Sequence, residues 1–162
     1  MANSWMVAGA KTGMHITLCG KSKYFPDAGL VETCREIAAQ TGGSIRLTED
    51  AVEASSGAQV LYTDVWVSMG EPMEAWAERI EDMKPYQVRK ELLDLADENA
   101  VFMHCLPAFH DQGTGIGRKV FEQFGMAELE VTNEVFEGPQ SVVFREAENR
   151  MHTIKAVMAA TL

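Results

Sequence analysis

The chain has 162 residues and a hydrophobic content of 46%, which is typical of one globular domain with a substantial core. Its formal net charge of −10 argues against nucleic acid or an anionic membrane surface as a partner. The cysteines Cys19, Cys34 and Cys105 form no C-x-x-C pair and no ligand spacing, so we expect neither disulfides nor a metal site. We find no secretory leader and no apolar stretch of roughly 18 residues, which favours a cytoplasmic protein without a membrane span.

The first part of the chain alternates between helical and extended patterns. Apolar residues at helical spacing predict helices at residues 3–12, 27–40 and 49–55. Short apolar runs predict strands at residues 14–18, 44–48 and 58–63. Gly13 and Asp27 suit a helix end and a helix cap, and Cys34 lies on an apolar helix face where we expect it to pack in the core. Such alternation with short connections predicts a mainly parallel sheet covered by helices.

The second part of the chain is richer in helical patterns. We predict helices at residues 72–83, 87–96, 116–124 and 140–160, with an irregular or helical step at residues 130–135. Pro85 separates the first two of these helices, and Trp76 and Ile80 form an apolar stripe that we expect to be buried. The glycines of G-T-G-I-G at residues 113–117 lack the following G-K-[ST] of a phosphate loop, so we interpret this segment as a mobile loop.

Reactive side chains crowd the end of a predicted strand that begins at Val101. The β-branched and aromatic start of V-F-M-H-C-L-P suits a covered strand, and Pro107 marks where ladder pairing stops. The side chains that follow are His104, Cys105, His110 and Asp111. Because ligands bind at the carboxyl ends of strands in open α/β sheets, this cluster is a candidate site.

Two other interpretations of this cluster stay open at this stage. Cys105 could be a small buried hydrophobe and His104 a satisfied core imidazole. Alternatively, Cys105 could be an activated nucleophile paired with His104 or His110, as in a hydrolase. Adjacent residues of a strand point to opposite faces, which weakens the pair with His104.

Three segments resemble the ornithine carbamoyltransferase family. His104-Cys105-Leu106-Pro107 resembles its H-C-L-P motif, and residues 64–70 resemble its D-x-W-x-S-M-G loop. Residues 148–156, E-N-R-M-H-T-I-K-A, are similar to its closing helix. The similarity runs from Ala2 to Leu162 and implies a three-layer Rossmann-like domain, the ornithine-binding half of the enzyme, with the helix at 140–160 included. It also implies that the carbamoyl-phosphate domain is absent from this chain.

The resemblance assigns side chains to the amino-acid end of the substrate. It implies that Asp64 and Ser68 bind the α-amino group of ornithine and that the backbone of Met69 binds its carboxylate. A carboxylate and a hydroxyl opposite an ammonium make physical sense as an amino-acid clamp. Gly70 would allow this loop to bend over the substrate.

The resemblance also assigns residues to the carbamoyl end. It implies that Cys105 lies beside the δ-amino nitrogen and the carbamoyl group, and that the Leu106 carbonyl accepts a hydrogen bond from the carbamoyl NH₂. It further implies a cis Leu106–Pro107 bond and a contact from Arg150 to the carbamoyl oxygen. The family forms homotrimers, takes L-ornithine and carbamoyl phosphate as substrates, and uses neither a metal nor another cofactor.

One departure from the family pattern affects the predicted sheet. The family has a strand ending in G-D and two asparagines before the position of Ala2, and in the strand order 3-2-1-4-5 this first strand is central. We therefore expect two half-sheets, one from the strands at 14–18 and 44–48 and one from those at 58–63 and 101–104. Open strand edges favour self-association.

Three functional alternatives follow from these observations. The first is the ornithine-binding half of a carbamoyltransferase, inactive as an isolated chain. The second is a stand-alone, non-catalytic module that binds an amino acid. The third is another transcarbamylase, although the intact Ser68-Met69-Gly70 loop favours ornithine over aspartate or putrescine as acceptor.

Overall fold

The computed structural model describes residues 1–67, 71 and 74–162, with residue 74 described by its backbone alone. The predictions for Ser68, Met69, Gly70 and Pro72 lie outside the described residues. The chain divides into two compact units, Met1–Ala54 and Ser55–Leu162.

The first unit alternates helices with two parallel strands. Its elements in chain order are α1 (Ala2–Thr12), β1 (His15–Cys19), a 3₁₀ turn (Ser22–Tyr24), α2 (Ala28–Thr41) and β2 (Ser44–Thr48), followed by α3 (Ala51–Ser55), whose last residue belongs to the second unit. Gly13 ends α1 in the left-handed conformation, at φ 75°, and the Asp27 carboxylate accepts a hydrogen bond from the Leu30 N–H at the start of α2. Both predicted helix boundaries are therefore confirmed.

The core of the first unit lies among α1, α2 and the strands. Its buried members are Met6, Ala10, Val31, Cys34, Ala38 and Ile45. Strands β1 and β2 pair in parallel with His15 opposite Ser44 and Cys19 opposite Thr48. The prediction that Cys34 packs in the core is confirmed, since the side chain is 1% exposed.

The second unit carries the other two strands and most of the helices. Its elements are β3 (Val60–Thr63), α4 (Glu74–Met83), a 3₁₀ turn (Lys84–Tyr86), α5 (Lys90–Leu93), β4 (Val101–His104), α6 (Gly115–Phe124), α7 (Asn133–Phe136) and α8 (Val143–Thr161). Strands β3 and β4 are parallel, with Val60 opposite Val101 and Thr63 opposite His104. Parallel strands alternate with helices in both units, as expected for a Rossmann-like architecture.

Two apolar clusters form the core of the second unit. One contains Val88, Leu93, Phe102, Ala108, Val131, Val135, Phe136 and Val143. The other contains Trp66, Val67, Trp76, Ile80, Phe109, Val120 and Leu129. The predicted apolar stripe of Trp76 and Ile80 is therefore core packing, as expected.

The expected division into two half-sheets is confirmed. Within the described residues, β1 has one strand neighbour, β2, and β3 has one strand neighbour, β4. Each strand pair therefore leaves an edge that another strand could extend.

In two predicted helices, a backbone pairing replaces the expected first turn. The helix expected at 87–96 is only Lys90–Leu93, because Val88 forms a parallel bridge with Val131 and its backbone is extended. The helix expected at 140–160 begins at Val143, because Ser141 bridges Phe102 on β4. In both cases a backbone pairing with a distant segment overrides the local helical pattern.

The long helix α8 exposes much of its apolar stripe. Its first residue, Val143, is buried, whereas its later large apolar side chains are 48% to 65% exposed: Phe144, Met151, Ile154, Val157 and Met158. The stripe therefore remains uncovered by the rest of its own unit.

None of the described helices is long and apolar enough to cross a membrane.

Candidate active site

The candidate site forms where β3 and β4 end side by side. The parallel register places Thr63 opposite His104, so the next residues along each chain, Asp64 and Cys105, are neighbours. The Cys105 thiol donates a hydrogen bond to the Asp64 carboxylate, with 2.9 Å between Sγ and Oδ1. Two residues predicted for the site from separate motifs are therefore in direct contact.

The environment of Cys105 favours the neutral thiol. Burial raises the pKa of the thiol to about 11, and the hydrogen bond to the Asp64 carboxylate adds to this increase. Tyr62 and the backbone of Val65 act in the opposite direction and lower the pKa of the thiol. Cys105 is therefore protonated near neutral pH and serves as a hydrogen-bond donor to Asp64.

His104 points away from this thiol into the protein core. Its side chain and that of Glu130 are fully buried, with 3.1 Å between His104 Nε2 and Glu130 Oε1. The same carboxylate oxygen accepts a hydrogen bond from the Phe109 N–H at 2.6 Å. The other ring nitrogen of His104 interacts with the Cys105 carbonyl. Glu130 thus connects His104 with the segment that follows Pro107.

Helix α8 is tied to the same strand end by Glu146. The Glu146 carboxylate accepts a hydrogen bond from the His104 N–H at 3.0 Å, which satisfies a donor beyond the β3–β4 ladder. Burial raises the pKa of Glu146, and the bond from His104 opposes that shift. The first turn of α8 is therefore anchored one residue before Cys105.

The residues predicted for the carbamoyl end differ in their surroundings. The Leu106–Pro107 peptide bond is cis, as predicted. Leu106 is partly exposed beside Cys105, and Arg150 is exposed on α8, one turn beyond Glu146. Within the described residues, Arg150 forms no hydrogen bond or ion pair with Cys105 or Leu106. The structure thus brings Asp64, Cys105 and Leu106 together but leaves Arg150 without such a contact.

The loop that follows Asp64 is anchored on both sides of its undescribed residues. Trp66 and Val67 are buried before it. After it, Arg79 donates a hydrogen bond to the Trp66 carbonyl at 3.0 Å and lies 3.7 Å from the Glu71 carboxylate. Arg79 of α4 therefore holds the two flanks of the loop that carries the predicted Ser68 and Met69.

His110 and Asp111, which follow Cys105 closely in the sequence, form no contact with the Cys105 thiol in the described structure. The His110 ring stacks on Phe136 with 3.7 Å between centroids, and its Nδ1 lies 2.9 Å from the Asn133 side-chain oxygen. Asp111 accepts a hydrogen bond from the Gly113 N–H in a local turn. With His104 bound to Glu130 as well, the geometry does not support a Cys–His hydrolase.

Sequence reasoning missed the partners that support the site. Glu130 is the clearest case, because its only signal is one acidic residue between the apolar Leu129 and Val131. Tyr62 and Glu146 carry no local signal, since a tyrosine in a strand and a glutamate in a first helical turn are both ordinary.

Among the described residues, no group of three His, Cys, Asp or Glu side chains could hold a metal ion.

Comparison with protein families and curated proteins gives a consistent result. The family model described as "Aspartate/ornithine carbamoyltransferase, Asp/Orn binding domain" matches residues 1–161. The catabolic ornithine carbamoyltransferase of Treponema denticola is 59% identical over 162 residues, which cover all of this chain and 48% of that protein. The ornithine carbamoyltransferase of Staphylococcus aureus strain Newman is 53% identical over 163 positions, covering 49% of that protein. The chain therefore spans about half the length of the curated relatives it matches.

Solved structures show the same similarity. Ornithine carbamoyltransferase from Pyrococcus furiosus matches with a TM-score of 0.81 and 40% identity, over 98% of this chain and 45% of that one. The enzyme from Gloeobacter violaceus matches with a TM-score of 0.78 and 36% identity, over 99% of this chain and 47% of that one. A mutant N-acetyl-L-ornithine transcarbamylase matches with a TM-score of 0.76 and 27% identity, over 100% and 44% of the two chains.

Proposed function

Because the chain belongs to the aspartate/ornithine carbamoyltransferase family and matches its Asp/Orn binding domain, we propose that it is the ornithine-binding half of an ornithine carbamoyltransferase. The whole enzyme transfers the carbamoyl group of carbamoyl phosphate to the δ-amino group of L-ornithine, giving citrulline and phosphate. The observation that carries the proposal is the 2.9 Å contact between Cys105 and Asp64 at the carboxyl ends of two parallel strands.

In this proposal the amino-acid end of ornithine lies at the end of β3. The Asp64 carboxylate and the Ser68 hydroxyl bind the α-ammonium group, and the Met69 backbone binds the α-carboxylate. A carboxylate paired with an ammonium group forms a charge-assisted hydrogen bond, which is about twice as strong as a neutral one. Leu106 and Pro107, which follow Cys105, are exposed, and Asp64 and Cys105 are themselves half-buried, so this end of the sheet is accessible to a ligand.

The carbamoyl end lies at the exit of β4. The neutral δ-amine of ornithine attacks the carbonyl carbon of carbamoyl phosphate. A C–N bond forms, the C–O bond to phosphate breaks and one amine proton leaves. Cys105 orients the amine, the Leu106 carbonyl accepts from the carbamoyl NH₂, and Arg150 stabilises charge on the carbamoyl oxygen. The neutral state of the Cys105 thiol supports a role in orientation and proton exchange rather than as a covalent nucleophile.

We further propose that this chain alone does not transfer carbamoyl groups. Arg150 is the one cation that the motif match assigns to carbamoyl phosphate, and a doubly charged phosphate needs several positioned donors. Those donors belong to a carbamoyl-phosphate domain carrying an S-T-R-T-R loop, which corresponds to the other half of the relatives. The exposed apolar stripe of α8 supports packing against that domain. The complete enzyme is a cytoplasmic homotrimer in this proposal.

The test compares the isolated chain with a chimera in which it follows the first half of the Treponema denticola relative. Citrulline formation from ornithine and carbamoyl phosphate should occur in the chimera and be absent from the isolated chain. An Asp64→Asn chimera serves as the matched control and should lose ornithine affinity while remaining folded. A folded chimera without citrulline formation would refute the proposed reaction.

The same assay separates the remaining alternatives. Transfer to N-acetylornithine, aspartate or putrescine in preference to ornithine would identify a different transcarbamylase. Calorimetric binding of ornithine to the isolated chain, with no transfer by the folded chimera, would instead identify a stand-alone amino-acid-binding module. Equal turnover by chain and chimera would overturn the proposal that the chain is incomplete.

A further inference from the structure

We propose that Glu146 is a positioning residue, whose bond to the His104 N–H fixes α8 on the exit of β4 and thereby sets Arg150 level with Leu106. The consequence of this arrangement for carbamoyl transfer rests on the proposed function. The attachment of α8 to β4 does not depend on that function.

The edge of β4 that faces away from β3 pairs with the segment that leads into α8. The Phe102 N–H donates to the Gln140 carbonyl at 2.9 Å, and the Phe102 carbonyl accepts from the Val142 N–H at 2.9 Å. Because the backbone groups of alternate residues on a strand point to the same edge, the His104 N–H is the next donor along this edge. The residues before α8 therefore extend the sheet as far as Phe102 and leave the next donor without a backbone acceptor.

Glu146 supplies the acceptor at that next position. The chain becomes helical at Val143, so the carbonyl groups beyond this point turn to partners within α8. The Glu146 carboxylate takes their place and accepts from the His104 N–H at 3.0 Å. Glu146 is half-buried, whereas its helix neighbours Arg145 and Ala147 are exposed. The side chain of Glu146 thus continues the pairing of β4 where the backbone of α8 cannot.

The advance of the two elements along each other sets the level of Arg150. A parallel bridge joins Phe102 to the segment before α8, so the chain enters the helix in the direction of β4. Four residues of helix rise about 6 Å, and two residues of strand rise about 6.6 Å. Helix α8 therefore reaches His104 at Glu146, and its next turn brings Arg150 level with Leu106.

Arg150 depends on the helix for its placement. Within the described residues, no hydrogen bond or ion pair holds its side chain, which is exposed. Val143 is buried and holds the first residue of α8, whereas the directional bond of Glu146 fixes the rotation of the helix about its axis. A catalytic group displaced by about 1 Å can cost a hundredfold in rate. Loss of the Glu146 bond should therefore reduce the contribution of Arg150 to the reaction.

The attachment of α8 is tested by amide hydrogen exchange in the 162-residue chain. Glu146→Leu removes the acceptor, so the His104 N–H should exchange at least about tenfold faster than in the parent. The Phe102 N–H keeps its backbone acceptor and should exchange at the rate of the parent. The matched control is Glu122→Leu, which replaces an exposed glutamate of α6. Equal His104 rates in the two variants, or equal acceleration at Phe102, would overturn the proposal.

The effect on the reaction is tested in the chimera. Glu146→Leu should lower kcat for citrulline formation at least about tenfold, because Arg150 is no longer held in place. The KM for ornithine should stay within about twofold, since the proposed ammonium ligand, Asp64, lies at the end of β3. Glu146→Gln keeps an acceptor oxygen and should retain most of the kcat of the parent. An unchanged kcat for Glu146→Leu, or an equal loss for Glu146→Gln, would contradict the positioning role.

A double-mutant cycle shows whether Glu146 acts through Arg150. An Arg150→Ala chimera lacks the group that Glu146 positions, so the addition of Glu146→Leu should lower kcat by less than about twofold. A structural defect alone would lower kcat by the same factor in both backgrounds. That additive result would overturn the proposal.

A shorter carboxylate keeps the proposal testable if Glu146→Leu does not fold. Glu146→Asp retains the charge in the first turn of α8 but withdraws the oxygens from the His104 N–H by one carbon–carbon bond. Its His104 exchange should be faster and its kcat lower than those of Glu146→Gln, and equality of the two variants would refute the attachment. An inactive parent chimera with the expected exchange rates would support the attachment and count against the proposed function alone.

Discussion

Replacement of Glu130 by leucine should destabilise the second unit by removing an acceptor shared by two buried donors. Glu130 Oε1 lies 3.1 Å from His104 Nε2 and 2.6 Å from the Phe109 nitrogen. Glu130 and His104 are both fully buried, so water cannot replace the lost acceptor. Leucine has a similar size but offers no oxygen, and both donors would remain unsatisfied.

The expected loss can be worked out from these two hydrogen bonds. Each buried donor left without a partner costs about 1–3 kcal/mol, so the pair costs about 2–6 kcal/mol. The apolar surface that leucine buries offsets roughly 1 kcal/mol of this. A net loss of about 3 kcal/mol, divided by a urea dependence of about 2 kcal/mol per molar, lowers the unfolding midpoint by about 1.5 M urea.

The assay is urea unfolding monitored by tryptophan fluorescence in a Trp5→Phe background. The signal then comes from Trp66 and Trp76, which are buried in the same unit as Glu130. Glu130→Gln keeps an acceptor for both donors and should lose about half as much stability or less. The exposed Glu122→Leu substitution should change the midpoint little. A midpoint shift below about 0.3 M for Glu130→Leu, or an equal shift for Glu130→Gln, would refute the reasoning.

Three further outcomes are expected. Cys105→Ala should strongly reduce citrulline formation by the chimera and lower the melting temperature of the chimera only slightly, because the thiol makes one hydrogen bond to Asp64. A variant that melts early but keeps normal turnover would contradict the proposed role of Cys105. Glu146→Gln tests the raised pKa of Glu146. The unfolding free energy of the parent minus that of the variant should fall as pH rises from about 4 to about 7, because a raised pKa favours the protonated native form. A pH-independent difference in urea titrations would exclude this effect. The isolated chain should sediment as a dimer or larger species, because β1 and β3 each have one strand neighbour in the described part of the chain, and a dispersed monomer would contradict that expectation.

Local sequence patterns were sufficient for most of the helices and strands. The cap at Asp27 and the left-handed Gly13 follow from side-chain and backbone preferences that act within a few residues. The burial of Cys34 and Trp76 follows from helical periodicity, and the parallel strand pairs follow from the alternation of strands with helices. Each of these features depends on information that neighbouring residues carry.

The exceptions share a physical cause. Val88 and Ser141 lie in segments with helical patterns, yet both bridge a partner far along the chain and become extended. A backbone hydrogen bond to a distant segment can outweigh helix propensity, which amounts to less than about 1 kcal/mol per residue for ordinary side chains. No window of local sequence contains the partner, so the helix boundaries at these positions could not be predicted.

The same distinction between local sequence and tertiary contacts applies to the candidate site. The candidate residues can be recognised from the sequence alone, because Asp64 and Cys105 lie in motifs at the ends of predicted strands. Which of them meet depends on the tertiary structure, since the parallel register places Asp64 beside Cys105 although 41 positions separate them. It also turned His104 toward Glu130, 26 positions away, and so made it a buried support of the strand end. Burial requires each polar group to find a partner, and in a folded chain that partner is selected by proximity in space.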